Sequence, residues 1–299
     1  MYTWTRTFAA ALFSALLCLT VAPANAEDVL RPSGHVILLT DYGSDSVYVG
    51  ILKGAIYTKF PEAKVDEITN GIPPFDIVTG AYLLAEAAGE YPKGTVFCCI
   101  VDPGVGTERK PVAVETDSGY FFVGPDNGIL TLVAEKFGVK SVRECSNTAL
   151  WRGGVTSTVF HGRDIFGPVA AALAKGIPLV DVGQKLEAIT KLELERSRID
   201  GDTARGTVMR ADSYGNLVTT ITAADFEKLG IKDGDKLEVT IGDAVYVAPV
   251  AKTYALVPEG ERLVVVQSSG FVECAINKGS LADTIHQGAK ASVAVKKAP

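Results

Sequence analysis

The segment HVILLT at residues 35–40 has the composition of a buried β-strand, and it opens a regular alternation of strands and helices. Apolar residues at helical spacing predict a helix over residues 46–60, and a second strand is predicted over 64–68. A second helix, rich in alanine and leucine, is predicted over 77–90, and a third strand over 95–101. This strand and helix alternation predicts a largely parallel sheet covered by helices.

After about residue 200, short alternating runs separated by turn residues replace this pattern. Strands are predicted over 206–210, 217–221, 236–241, 244–249, 262–267, 272–277 and 291–295. The fold class is therefore α/β. We expect an N-terminal α/β domain over 33–195 with a largely parallel central sheet, then a smaller C-terminal all-β, barrel-like domain over 203–298. A charged stretch over 191–202 is the predicted linker.

The first 26 residues have the features of a secretory signal peptide. Arg6 precedes an apolar run over residues 8–22, and small residues lead to a cleavage site after Ala26. The run is too short for a membrane span, and no later apolar run is long enough for one. We therefore expect a periplasmic or secreted protein that is not held in a membrane after signal removal.

Composition narrows the possible partners and cofactors. A net charge of −6 does not suggest a nucleic-acid partner, and 47% hydrophobic residues can form a sizeable core. Beyond the signal, the chain has Cys98, Cys99, Cys145 and Cys274, whose pairing stays open. Cys98 and Cys99 lie inside an apolar run, and we interpret them as buried thiols. No cysteine or histidine spacing suggests a metal site, so no cofactor is expected.

Two predicted strands are each followed by an aspartate. Ligands of open α/β sheets bind beyond the carboxyl ends of the strands, so these loops matter most. Asp41 could bind a sugar diol or could simply shape its turn. Asp102 begins a loop with proline and two glycines that ends at Arg109. These two charges could form a structural salt bridge or part of a site.

Two further segments are candidates. His161 stands between an aromatic residue and Gly162 before a predicted helix over 169–174, where a histidine can move protons or be structural. The segment from Asp212 to Asn216 has the composition of a hairpin turn, with or without a binding role. Sequences typical of serine hydrolases (GxSxG) and zinc proteases (HExxH) do not occur.

In combination and in order, these segments resemble the S-adenosylmethionine (SAM) hydroxide adenosyltransferases, relatives of the bacterial fluorinase and chlorinase. The likeness extends over nearly the whole chain after residue 33, including residues 38–43, 68–76, 101–109, 124–128, 160–164, 212–216 and 268–271.

The resemblance implies a reaction in which water attacks C5′ of the ribose of SAM, giving adenosine and L-methionine. It assigns activation of the water to Asp102, Arg109 and His161. The positive charge of the arginine would polarise the water, and a histidine–aspartate pair would orient it. The halogenating relatives lack this trio, having an aromatic residue at position 102 and a serine at position 162. The chain therefore resembles the branch that uses water, as a SAM hydrolase without a cofactor.

The resemblance also implies a set of substrate contacts and an assembly. Asp41 would bind the ribose hydroxyls, and Phe75 would form an apolar wall. The methionine end would contact Asp212, Ser268 and Ser269, and the adenine would contact Asn216 and Tyr254. The implied assembly is a homotrimer with each site between the α/β domain of one subunit and the β domain of the next.

Two other functions remain compatible with the sequence. Export motivates the first, a module that binds an adenosyl compound without turnover. The second is a SAM-dependent halide adenosyltransferase. Formation of adenosine would distinguish hydrolysis from both.

Overall fold

A computed structural model describes Met1, residues 32–154 and residues 156–299. Apart from Met1, the predicted signal peptide lies outside the described residues. Arg31–Pro299 forms one compact unit. No helix in the described part of the chain is long and apolar enough to span a membrane.

The first half of this unit is built on a seven-stranded sheet in the order β2-β1-β3-β5-β4-β6-β7. Its strands are β1 (His35–Thr40), β2 (Lys64–Thr69), β3 (Val96–Ile100), β4 (Pro111–Glu115), β5 (Phe121–Pro125), β6 (Ser141–Glu144) and β7 (Lys185–Leu186). Its α-helices are α1 (Val47–Lys59), α2 (Ile77–Ala87), α3 (Thr131–Phe137) and α4 (Gly167–Lys175). A π-helical turn at Gly162–Phe166 leads into α4, and short 3₁₀ turns occupy Ala88–Glu90, Thr148–Leu150, Arg152–Gly154 and Leu179–Val182.

The predicted α/β class and the parallel strands are confirmed. Neighbours among β2, β1, β3 and β5 pair in parallel, whereas β4, β6 and β7 extend the sheet by antiparallel pairing. The sequence pattern did not indicate this antiparallel extension. Helices α1 and α4 pack on each other, as do α2 and α3, and both pairs contact the sheet.

The central strands are apolar along their whole length because helices cover them. Every residue of β3 is buried, and the same holds for β1 after its first residue. Cys99 packs in the core shared with α2 and α3, and its neighbour Cys98 lies outside that cluster. The predicted burial of Cys98 and Cys99 is confirmed. Cys145 and Cys274 are buried as well, and all four are free thiols.

The second half is an antiparallel, nearly closed barrel in the order β12-β11-β15-β9-β10-β14-β13. Its strands are β8 (Arg198–Asp200), β9 (Thr203–Ala211), β10 (Leu217–Thr222), β11 (Lys236–Ile241), β12 (Ala244–Pro249), β13 (Arg262–Val266), β14 (Phe271–Ile276) and β15 (Ser292–Lys297). Two short helices, α5 (Ala223–Lys228) and α6 (Leu281–Ile285), and a 3₁₀ turn at Tyr254–Leu256 complete it. A bridge between Val250 and Val264 joins the two edges, as expected for a barrel.

The structure differs from the predicted linker at its end, because residues 198–200 form β8 and pair with β9. The α/β part and the barrel also share a small core. Tyr82 of α2 packs with Met209 and Val218 of the barrel, and its ring meets that of Phe271 edge-on at 5.7 Å.

Candidate active site

The two aspartates predicted at strand ends lie beside each other. Strands β1 and β3 are parallel neighbours with Thr40 opposite Ile100, so Asp41 and Asp102 follow at the same edge of the sheet. The chain leaves β1 for β2 on one side and then crosses to β3 on the other. This reversal of strand order opens a crevice at the carboxyl ends, where ligands of such sheets bind.

Arg109 joins Asp102 to His161. Its Nε donates to Asp102 Oδ1 at 2.8 Å, and its Nη2 donates to Asp102 Oδ2 and to His161 Nδ1, the latter at 2.8 Å. The side chains of Arg109 and Asp102 are only 8% and 6% exposed. The three predicted residues are therefore in contact. Their order differs from the expected histidine–aspartate pair, because the planar guanidinium lies between the two partners.

The contact with Arg109 determines which nitrogen of His161 carries the proton. A guanidinium can only donate, so Nδ1 accepts and the neutral ring has its hydrogen on Nε2. Burial lowers the pKa of His161, the positive charge of Arg109 lowers it further, and Asp102 opposes the shift. His161 is therefore neutral at neutral pH and offers Nε2–H as a hydrogen-bond donor.

The local backbone explains why these residues meet. Gly106 has a φ of +78°, and a Cβ there would overlap the carbonyl oxygen of Thr158, so glycine lets the Asp102 loop pack against the segment before His161. The π-helical turn that follows His161 places the Phe166 ring 5.2 Å from the Arg109 guanidinium carbon. Single π-helical turns of this kind are frequent at functional sites.

These residues form one wall of a cleft of about 460 Å³, here called the first cleft. Asp41, Asp102 and His161 line it with Tyr48, Phe75 and Phe160, and Arg109 lies behind them. Aromatic rings make the cleft largely apolar. Neither Tyr42 nor Tyr48, which also line it, was identified from the sequence, because nothing in their own segment distinguishes a cleft aromatic from a core one.

Asp41 also fixes the predicted wall residue Phe75. Its Oδ2 accepts a hydrogen bond from the backbone N–H of Phe75 at 2.9 Å. Phe75 has a φ of +67° and is 70% exposed. A left-handed conformation costs a residue with a side chain about 1–2 kcal/mol. The Asp41 contact compensates part of this strain and holds the ring at the cleft.

A second cleft, of about 750 Å³, lies on the barrel. It brings together the predicted residues Asp212, Asn216 and Tyr254. Asp212 organises the predicted hairpin between β9 and β10. Its Oδ1 accepts from the backbone N–H groups of Tyr214 and Asn216, and its Oδ2 accepts from Asn216 Nδ2 at 3.0 Å.

Glu273 supports this second cleft and was missed from the sequence. It is fully buried, and its oxygens accept hydrogen bonds from Tyr254 Oη at 2.7 Å and from Gln267 Nε2. Burial raises its pKa, and the charge of Asp212 raises it further. The available signal was an acid inside the otherwise buried strand β14.

The remaining predicted contacts, Ser268 and Ser269, lie in neither cleft. They line a groove between α2 and the barrel, where Arg210 pairs with Glu86 at 3.0 Å. Ser269 Oγ donates to Gln267 Oε1 at 3.2 Å and so connects indirectly with the second cleft. The described residues contain no group of three or more histidine, cysteine, aspartate or glutamate side chains placed to hold a metal ion.

Comparison with known families identifies the chain. Residues 36–183 match the SAM hydroxide adenosyltransferase N-terminal domain, and residues 206–294 match the C-terminal domain. This chain belongs to the SAM hydroxide adenosyltransferase family. Family membership agrees with the resemblance noted from the sequence.

Individual relatives of this SAM hydroxide adenosyltransferase family member favour its hydrolase branch. The (R)-S-adenosyl-L-methionine hydrolase of Salinispora tropica is 37% identical over 261 residues, which cover 86% of this chain and 95% of that protein. A fluorinase from an Actinoplanes species is 26% identical over 304 residues, covering 92% of this chain and all of the fluorinase. The crystal structure of an uncharacterized conserved protein from Thermotoga maritima superposes with a TM-score of 0.85 at 37% identity, covering 88% of this chain and 100% of that one.

Proposed function

We propose that this enzyme hydrolyses SAM to adenosine and L-methionine by attack of water on C5′. The observation that carries the proposal is the contact of the buried Asp102–Arg109 ion pair with the half-buried His161 in the wall of the first cleft. Membership of the family and the identity with a relative named as a hydrolase support the same reaction. The lower identity with the fluorinase argues against halide transfer.

The reaction needs neither a strong general acid nor a strong general base from the protein. A bond forms between the water oxygen and C5′, the C5′–S bond breaks, and its electron pair stays on sulfur, so methionine leaves as a neutral thioether. The attacking water becomes a protonated alcohol, which is strongly acidic and passes its proton to a carboxylate and then to solvent. The enzyme must therefore chiefly hold water, C5′ and sulfur in line.

The trio can do this through hydrogen bonds of opposite sense. Asp102 can accept a hydrogen bond from the water and then its proton, while the Nε2–H of His161 is a donor toward the cleft. Arg109 touches both and fixes their orientation, so it is a positioning residue. The largely apolar cleft suits a substrate that loses its positive charge as it reacts.

The two clefts provide complementary parts of a SAM site. Asp41 in the first cleft can accept hydrogen bonds from the ribose diol, with Phe75 against the substrate. Asn216 and Tyr254 in the second cleft suit the adenine, and Asp212 suits the methionine ammonium. Ser268 and Ser269 would meet the methionine end only if the groove beside α2 joined the second cleft. The relatives' names specify the R configuration at sulfur, and we assign the same epimer to this enzyme.

We assign the active form to a homotrimer with each site between two subunits. The clefts of one chain share no lining residue, which supports their meeting across an interface. Large exposed apolar groups surround them, including Val47 and Val159 near the first cleft and Tyr214 at the second. Mixing Arg109→Ala subunits with Asn216→Ala subunits tests this, because random mixing should restore about a quarter of the sites. No recovery in a mixed trimer would contradict it.

We also propose export to the periplasm or exterior, on the strength of residues 1–26. Mass spectrometry of the protein recovered after expression with its own N-terminus should find a chain that begins at Glu27. An intact N-terminus in the cytoplasmic fraction would contradict export.

The central experiment incubates the enzyme lacking residues 1–26 with each SAM epimer in ¹⁸O-labelled water. Adenosine carrying the label at the 5′ oxygen is expected from the R epimer, with Asp102→Ala and His161→Ala strongly impaired. Binding without adenosine would favour a binding module. A halogenated nucleoside that depends on added chloride would favour halide transfer.

A further inference from the structure

The Tyr42 hydroxyl lies where the backbone beside His161 faces the first cleft. Tyr42 follows Asp41 at the end of β1, and Gly162 follows His161 at the start of the π-helical turn. A Cβ placed on Gly162 would overlap the Tyr42 oxygen and would also lie 3.3 Å from Ile100 Cδ1. The Tyr42 oxygen thus fills the volume that any side chain at position 162 would need.

The ring of Tyr42 is held by aromatic contacts, whereas its hydroxyl has no hydrogen-bond partner among the described residues. Edge contacts join the ring to Tyr48 and Phe160, with centroids 6.2 Å and 5.9 Å apart. The hydrogen bonds of the described residues include none to the Tyr42 hydroxyl, although the residue lines the cleft with Asp102 and His161. An oriented polar group left free at a cleft is suited to a ligand.

This hydroxyl is neutral under all ordinary conditions. Burial strongly raises the pKa of Tyr42, and the negative charges of Asp102 and Asp41 contribute to the shift, which Arg109 opposes in part. A neutral phenol can both donate and accept one hydrogen bond. It is therefore equipped to orient a small protic molecule, without itself acting as a base or nucleophile.

We propose that the Tyr42 hydroxyl determines which nucleophile reacts in the first cleft. It orients the attacking water by a hydrogen bond. Because it lies against Gly162, it also leaves room there only for a nucleophile about as large as water. This inference rests on the proposed SAM hydrolysis and adds a residue to it. The selected class is a small neutral nucleophile that can donate a hydrogen bond.

Removing only the oxygen tests both parts. Tyr42→Phe should lower kcat about tenfold, the loss expected for one hydrogen bond, with KM within about twofold of the wild-type value. The vacated volume is close to that of a methyl group. Added methanol should therefore compete better with water in the variant than in the wild type. Its oxygen attacks C5′, the electron pair of the C5′–S bond stays on sulfur, and the hydroxyl proton goes to solvent. The product is 5′-O-methyladenosine. The share of this ether should rise several-fold in the variant.

Variants at Gly162 test whether the Tyr42 oxygen limits the space in the cleft. Gly162→Ala should reduce kcat, and adding Tyr42→Phe to it should recover part of the loss, because the overlapping oxygen is gone. Gly288→Ala is the matched control, since a Cβ there meets no atom within 4 Å. It should leave kcat, KM and the ether share unchanged.

The outcomes separate this inference from the proposed function. Adenosine formation with an unchanged kcat and ether share in Tyr42→Phe would overturn the inference alone, as would a double variant no faster than Gly162→Ala. The ether share is a ratio of two products, so it does not depend on how much of the variant folds. No adenosine from the folded wild-type enzyme would overturn the proposed function and this inference with it.

Discussion

Replacing Arg109 with methionine tests the trio most directly. Methionine keeps much of the side-chain length but removes the charge and three hydrogen bonds, leaving the Asp102 carboxylate 6% exposed without a counter-charge. Breaking a buried ion pair from one side costs about 3–5 kcal/mol. For a chain of this size, we expect Tm to fall by about 5–9 °C at pH 7. Loss of orientation at both catalytic partners should lower kcat by about 10²–10³-fold.

A double variant separates charge from shape. Adding Asp102→Asn to Arg109→Met removes the uncompensated charge, so part of the lost Tm should return while activity stays low. Thermal unfolding at pH 7, followed by circular dichroism, measures the Tm of each variant, and steady-state kinetics measure its activity. Two results would contradict a buried ion pair. One is a Tm of Arg109→Met equal to that of the wild type, and the other is a double variant whose loss of Tm is the sum of the losses of the two single variants.

Three further predictions concern other parts of the site. Since burial and Arg109 lower the pKa of His161 and activity needs its neutral ring, the acid limb of the kcat profile should fall below pH 6.5; a limb above 6.5 would contradict this. Phe75→Gly should raise Tm slightly by relieving the positive φ and raise KM by removing the wall; an unchanged KM would exclude a substrate contact. Glu273 has a pKa raised above 4.5, so the folded state holds its proton more tightly than the unfolded state. The Tm of the wild type should therefore decline relative to the Tm of Glu273→Gln as pH rises above 4.5. A Tm difference that stays constant across pH would contradict a raised pKa of Glu273.

The sequence predicts most of the fold because local composition and tertiary position agree. The all-apolar run of β1 and the helical spacing of α1 specify a covered parallel strand and its helix, and both occur within a residue or two of the predicted ends. The pairing of β4 with β6 depends instead on strands of four or five residues whose composition does not set their direction. Strand β8 was assigned to a linker because its exposed, charged residues look the same as a loop.

The site follows the same division. Asp102, Arg109 and His161 could be predicted as a group because their residue types and order match a known pattern. The Arg109 bridge could not, since it depends on three-dimensional orientation. Tyr42 was missed for a similar reason, because its role depends on a contact with Gly162 that no local pattern encodes.

The order of the strands also bears on when activity arises during folding. The pocket exists only after β1 has paired with β3, a contact between segments far apart in sequence, and after the His161 segment has packed on the Asp102 loop. Such distant closures are slow compared with the formation of helices. Regain of turnover on refolding should therefore lag behind regain of helical circular dichroism, making catalysis a reporter of the last long-range closures of the chain.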